Sequence, residues 1–184
     1  MRSHARLAAL TVVSARARRV LRLEPLTSEE FRAYGDVIDR DVDEGSGLAI
    51  NAGTAWRRHG FARIDAAPGG HAAISLVRAE PRRLPFRLEC LERHVLGSQA
   101  FVPLDAERWI VVVAPGGDEP DLEKVRAFLA SARQAVSYLR GTWHHPLIAA
   151  DRAAEFLVVD RLSDAGLEDC EVRDLTTVEL WIDA

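Results

Sequence analysis

The tightest constraint on this chain is an alternation. From Arg83 to Cys90, Leu84, Phe86, Leu88 and Cys90 fall at even positions, while Arg83, Arg87 and Glu89 fall at odd ones. A strand repeats every two residues, so the even set shares one face and turns toward a core. Glu92 and His94 continue the same parity. An inward face that changes from apolar to ionisable along one strand reads as a pocket lining, because such groups are costly to bury without partners. By that parity Arg93 points outward as a surface charge. The competing reading is a bulge that flips the register and returns Glu92 and His94 to solvent.

Around this stretch the chain is a series of short strand candidates. They are Asp36–Asp39, Leu48–Asn51, Trp56–Ile64, Ala72–Ala79, Leu84–His94, Gln99–Pro103 and Arg108–Ala114, then Ala135–Arg140, Trp143–Ile148, Glu155–Asp160 and Thr177–Ile182. Turn residues separate them at Gly45-Ser46-Gly47, Pro68-Gly69-Gly70, Glu80-Pro81 and Pro115-Gly116-Gly117. Many short strands at close spacing predict a mainly β sandwich or barrel.

Helices are few. Thr27-Ser28-Glu29-Glu30 reads as a capping box opening a short helix that Gly35 ends. A second helix is expected from Pro120, with Leu122, Val125, Phe128 and Leu129 as one apolar stripe packed on the core. Residues 1–22 stand apart, with six arginines and no acid. They read as a flexible arm or an over-early start, with a secretory signal (Leu7–Val13, then Ala15-Arg16-Ala17) as the weaker alternative. Residues 23–184 are then one domain, a size that supports a real core.

Charge excludes some partners. The net charge is -4 and the body carries no basic stripe, so nucleic acid is not expected. No apolar run approaches the roughly 18 residues of a membrane span. The two cysteines, Cys90 and Cys170, suit a reducing, cytoplasmic compartment. No glycine-rich phosphate loop follows a strand.

Two clusters can carry chemistry. The first is Glu92-x-His94 followed by Gln99; the second is Trp143-His144-His145-Pro146. Two hairpins of a barrel can face one interior, and imidazoles with a carboxylate suit a divalent metal or acid–base work. On a regular strand His144 and His145 point to opposite faces, so only one of them lines a pocket. The spacing is similar to that of cupins, with Glu92, His94, Gln99 and His144 as the ligand set. Gln99 is a poorer ligand than the usual glutamate.

The words around these residues narrow the reading. Phe31-Arg-Ala-Tyr34-Gly35-Asp36, Ile50-Asn51-Ala52-Gly53, Leu91-Glu92-Arg93-His94, Gly97-Ser98-Gln99-Ala100-Phe101 and Trp143-His144-His145-Pro146-Leu147 occur in that order. Together with Ser75-Leu-Val-Arg78 they resemble the ureidoglycolate lyase family of allantoin breakdown, over roughly residues 23–174. The resemblance implies a cupin-like β-barrel (double-stranded β-helix or jelly roll) with one or two short helices, a cytoplasmic homodimer, and nickel as a candidate divalent metal. The family's second asparagine is Ala52 here.

It also implies a reaction. Ureidoglycolate is a carbinolamine: one carbon bears a hydroxyl, a carboxylate and a urea nitrogen. Its lysis to glyoxylate and urea needs a base for the hydroxyl proton, an acid for the leaving nitrogen and a hold on the carboxylate. His94 or Glu92 is the expected base or metal ligand, and His144 the ligand or acid. Gln99 and Asn51 are candidates to hold the ureido group. Arg78 and Arg140 are candidates for the carboxylate, since guanidinium matches it bidentately; Tyr138 shares the parity of Arg140. The alternatives are an amidohydrolase releasing ammonia, a non-catalytic cupin-like domain that binds a small ligand, and a metal-dependent isomerase or oxygenase, which Gln99 disfavours.

Overall fold

The computed structural model describes residues 18–41, 47–166 and 169–184. In chain order the described strands are β1 (Arg19–Pro25), β2 (Gly35–Asp39), β3 (Leu48–Ile50), β4 (Ala55–Arg57), β5 (Gly70–Ala79), β6 (Phe86–Arg87), β7 (Cys90–His94) and β8 (Gln99–Pro103). They continue with β9 (Arg108–Ala114), β10 (Arg126–Ser131), β11 (Gln134–Tyr138), β12 (Trp143–His144), β13 (Ile148–Ala149), β14 (Ala154–Ser163), β15 (Cys170–Asp174) and β16 (Leu180–Asp183). The single short α-helix among them is α1 (Ser28–Phe31). The expected mainly β, cupin-like architecture agrees with this.

Two sheets carry the fold. One has nine strands, running β15-β7-β12-β9-β10-β1-β16-β6 with β13 joined to β9; the other has five, β2-β11-β8-β14-β5. One core lies between them: Trp109, Val111, Val113 and Phe128 from the first sheet meet Phe101, Val136, Tyr138 and Phe156 from the second. The larger sheet curls on itself around a second core of Leu21, Phe86, Leu88, Leu91, Val112, Trp143 and Ile182. β9 serves both, with Trp109, Val111 and Val113 on one face and Ile110, Val112 and Ala114 on the other.

The same two-sided burial replaces the helix expected from Pro120 with a strand. Residues from Pro120 do not form a helix. A 3-10 turn, Leu122–Lys124, capped by the Asp121 side chain, leads into β10. Phe128 and Ala130 enter the first core, while Val125 and Ala127 enter the second. A strand buried on both faces loses its alternation, and its apolar residues then fall at helix-like spacings.

Other boundaries also move. Arg19–Arg22, assigned to the arm, belong to β1, which pairs in parallel with β10 and β16. The signal alternative (Leu7–Val13, Ala15–Ala17) and the break at Gly45-Ser46 lie outside the described residues. Only Trp56 and Arg57 of the Trp56–Ile64 candidate are strand, within β4, which pairs with β3. The Leu84–His94 candidate splits into β6 and β7. Leu88 and Leu91 both enter the second core, so the parity changes between them and the even positions do not share one face throughout. The Thr27 side chain accepts from Glu30 N, but Glu30 turns its carboxylate to Arg126 instead of closing the capping box.

Candidate active site

The parity change spares the site. Leu91 and Arg93 take one face of β7, which leaves Glu92 and His94 on the other. Across the ladder His144 of β12 stands directly opposite Glu92. Gln99, the first residue of β8, approaches from the facing sheet with its Oε1 3.0 Å from His144 Nε2. One donor atom each from Glu92, His94 and His144 lie within 4.8 Å of one another. Thus the four side chains expected to converge do so, at one end of the core between the sheets.

Hydrogen bonding fixes what each group presents. His144 is 1% exposed, and its Nδ1 lies 2.9 Å from Thr142 O. A carbonyl only accepts, so Nδ1 carries the hydrogen and Nε2 faces Gln99 Oε1 and, at 3.4 Å, Glu92 Oε1. The Gln99 amide is oriented by its other end, since Nε2 donates to Asp160 Oδ2 at 3.2 Å. Two oxygens therefore aim at one imidazole nitrogen. That arrangement is attractive only if a positive partner sits there, either a proton or a cation. Burial alone would raise the Glu92 carboxyl. The hydrogen bond to His144 and the fields of His144, His94 and His145 outweigh it and hold the group below the usual range, so Glu92 is ionised at neutral pH.

His94 has Nδ1 3.5 Å from Asp169 Oδ1, while its Nε2 is buried with no hydrogen-bond partner. With Nδ1 facing Asp169, Nε2 is the nitrogen left for the cluster. Its ring stacks near that of His144, with centroids 5.6 Å apart. Tyr138 stacks on the other histidine at 4.2 Å, and burial, then the Glu92 charge, push its hydroxyl well above the usual range. Beside His94 opens a cavity of about 480 Å³ walled by Asp160, Arg161, Leu162, Ser163, Gly166, Asp169 and Cys170. The Arg161 guanidinium is engaged by the carbonyls of Ala67 and Pro68.

His145 turns away, as alternation requires. It is buried against Phe86, its Nδ1 meets Pro146 O, and burial pushes its pKa down. Arg93 is not a surface charge. It is 9% exposed, lies over the Trp143 ring at 4.8 Å and bonds to Glu171, Asp118 and the carbonyl of Gly117.

The remaining expected residues are spread out. Arg140 sits near the site, since its neighbour Gly141 donates from N to His94 O; its own guanidinium holds Asp65 at 2.6 Å. Arg78 is exposed, paired with Glu80 at 3.4 Å on edge strand β5, opposite Glu155. Gln99 lies at the other end of that sheet, where Ala100 meets Val159. Asn51 is exposed in the turn between β3 and β4, its carbonyl taken by Thr54; no hydrogen bond among the described residues ties it to the cluster.

Asp160, Asp169 and Cys170, whose Sγ is 3.9 Å from Glu92 Oε2, were not anticipated. Asp160 had a signal: Phe156, Val158 and Asp160 repeat the pattern that pointed to Glu92, an apolar face ending in an acid. Asp169 had none, since it comes from the connection ahead of β15.

Residues 18–182 match the sequence profile described as Ureidoglycolate lyase. A protein from Burkholderia mallei (strain NCTC 10229) named ureidoglycolate lyase is 50% identical over 147 residues, covering 79% of this chain and 85% of that protein. One of the same name from Salmonella paratyphi B (strain ATCC BAA-1250 / SPB7) is 42% identical over 160 residues, covering 87% of this chain and 97% of that protein. The match takes in Arg19–Arg22 and most of β16, beyond the stretch over which the sequence words alone carried the resemblance.

Proposed function

The chain belongs to the ureidoglycolate lyase family, and from that premise we propose that it cleaves (S)-ureidoglycolate to glyoxylate and urea. The observation that carries the reading is the convergence of Glu92, His94, Gln99 and His144 beside a cavity large enough for a two-carbon acid with a ureido group. His94 Nε2 takes the hydroxyl proton; as the carbonyl of glyoxylate forms, the carbon–nitrogen bond breaks and urea leaves with a proton from His144 Nε2. Gln99 Oε1 and Glu92 Oε1 hold that imidazole nitrogen in place, at 3.0 and 3.4 Å. His94 on β7 and His144 on β12 belong to neighbouring strands of one sheet, so the hydroxyl and the departing nitrogen meet groups already held in place and little reorganisation is needed.

The same atoms fit a divalent cation. The donors are two imidazoles, a carboxylate and an amide oxygen, and His94 Nε2 is a buried nitrogen with nothing to bond. Nickel is the candidate. Glu92, His94 and His144 would hold it, with Gln99 as a fourth, weaker donor. A bound cation supplies Lewis acidity to the substrate's hydroxyl and carboxylate oxygens. It also answers a charge problem. Asp160 and Asp169 line the cavity and Glu92 adjoins His94 beside it, Arg161 is engaged elsewhere and Arg78 is distant, so an anionic substrate needs positive charge from within the cluster or from Arg140 at its edge.

The reading extends to a cytoplasmic homodimer. The dimer is supported by edge strand β5, whose Ile74 and Leu76 are 71% and 68% exposed on one face. No described helix is long and apolar enough to cross a membrane.

Incubation of the purified protein with ureidoglycolate, with and without chelator, tests the whole reading. Urea and glyoxylate in equal amounts are expected. Ammonia in place of urea would make it an amidohydrolase, and binding without turnover a sensor. Activity lost to chelation and restored by a divalent ion assigns the cluster to a metal; activity that survives assigns it to proton transfer.

A further inference from the structure

Two carboxylates on the cavity wall, Asp160 and Asp169, take no part in the proton transfers above. Asp160 accepts from Gln99 Nε2 through Oδ2, and its Oδ1 is buried without a hydrogen-bond partner. Asp169 is nearly buried, its side chain 7% exposed; Oδ2 accepts from Leu96 N at 3.2 Å, which turns Oδ1 toward His94 Nδ1. They reach the site from different elements, Asp160 from β14 and Asp169 from the connection before β15, and each meets the outer atom of one inner side chain.

Both inner side chains have two orientations of nearly equal shape. An imidazole can carry its hydrogen on either nitrogen, and an amide can exchange its oxygen and nitrogen by a half turn. An ionised carboxylate only accepts, so each aspartate selects one orientation. Asp169 keeps the hydrogen on His94 Nδ1 and leaves Nε2 bare. Asp160 keeps Gln99 Nε2 outward and Oε1 toward His144.

We propose that Asp160 and Asp169 are the positioning residues of this centre, each fixing one inner side chain so that His94 Nε2 and Gln99 Oε1 present lone pairs to the point shared with Glu92 and His144. This rests on the proposed site but not on whether a proton or a metal fills it. Carboxylates behind metal-bound or catalytic histidines act in this way, and their loss typically costs roughly 10- to 100-fold in metal affinity or activity.

The test reads the tautomer directly. Nitrogen-15 NMR of the purified protein is expected to show His94 with its hydrogen on Nδ1. Asp169→Ala should convert it to a mixture or to the other tautomer, while Asp169→Asn, which keeps an accepting oxygen, should restore much of the original form. In parallel, kcat and KM for urea release and nickel affinity by calorimetry are measured for Asp160→Ala and Asp169→Ala. The expected result is a fall in kcat or in nickel affinity of roughly 10- to 100-fold, with an unchanged thermal midpoint and circular dichroism spectrum. Wild-type His94 carrying its hydrogen on Nε2 would overturn the role of Asp169. A kcat and nickel affinity for Asp160→Ala within twofold of wild type would overturn that of Asp160. A wild-type protein that shows the expected tautomer but releases no urea would sink the proposed reaction and leave the positioning role of Asp169 standing.

Discussion

Tyr138 lies flat on His144, with ring centroids 4.2 Å apart and 17° between the planes. The tyrosine is 2% exposed and its ring also meets Phe31 and Phe101, the latter touching His144 as well, so the imidazole is backed by an aromatic wall rooted in the main core. The ring, more than the hydroxyl, is what the site uses. Tyr138→Phe should keep urea release within about threefold of wild type. Tyr138→Ala should lower stability by about 3–5 kcal/mol in denaturant titration, as loss of a buried aromatic does. A large drop in kcat for Tyr138→Phe at unchanged stability would make the hydroxyl a participant instead.

His94 is the residue whose loss separates proton transfer from packing. Its Nε2 has no partner to lose, so His94→Ala removes no hydrogen bond on that side. A rate loss of roughly 10²–10⁴ is expected, the range for removing an acid–base group. The measurement is kcat for urea release; a near-normal value would take His94 out of the mechanism.

How much of this was legible can be said residue by residue. Glu92, His94, Gln99 and His144 were legible from the spacing of their residue types and from the words around them, even though the alternation leading to Glu92 breaks between Leu88 and Leu91 and His144 lies on a strand of two residues. Register against a facing sheet was not, and that is why Asp169, which enters from a loop, and the remoteness of Arg78, which shares a strand pattern with nothing at the site, needed coordinates. β10 was misread because both its faces are buried. Arg93 was misplaced because its odd position faces a second core, and a single-sided view of the strand had no room for one.

Ala52 is a departure from the family words that has a conformational cost. It adopts φ 55° and ψ 32°, next to Asn51 at φ 52°. A left-handed conformation costs an alanine about 1–2 kcal/mol, and asparagine or glycine less. Ala52→Asn should therefore raise stability by up to about 1 kcal/mol, read as a higher midpoint in urea at unchanged slope. A lower midpoint would mean the turn uses the alanine methyl.

Glu24 offers a pH test of whether β1 is integral. A hydrogen bond from Arg126, outweighing desolvation, holds its carboxyl below the ordinary 4.5, and Arg126 also bonds Glu30. A carboxyl whose folded pKa is depressed binds fewer protons folded than unfolded. Its contribution is therefore full above pH 4.5 and is lost as pH falls through the lower folded value. Thermal midpoints of wild type and Glu24→Gln should differ at pH 6 and converge toward pH 3. A constant difference would place Glu24 outside any ion pair. Leu21, 6% exposed in the second core, gives the pH-independent companion: Leu21→Ala should cost about 2–4 kcal/mol, where a loose arm would cost nothing.

Arg93 is the final case, because charge and packing predict different variants. Its guanidinium lies over Trp143 on the face of β7 opposite the cluster, and it is held by Glu171, Asp118 and the Gly117 carbonyl. Trp143 Nε1 donates to the same carbonyl, so the arginine and the indole share one acceptor on the loop before β10. Lysine keeps the charge but not the planar fork that stacks and bonds in several directions at once. Arg93→Lys should therefore lose most of what Arg93→Ala loses, about 2 kcal/mol for the charged hydrogen bonds and the stack together. Because Trp143 adjoins His144, loosening it should also raise KM for ureidoglycolate while leaving the products unchanged. If lysine restored full stability, simple charge pairing with Glu171 would explain the residue, and the indole would have no share in it.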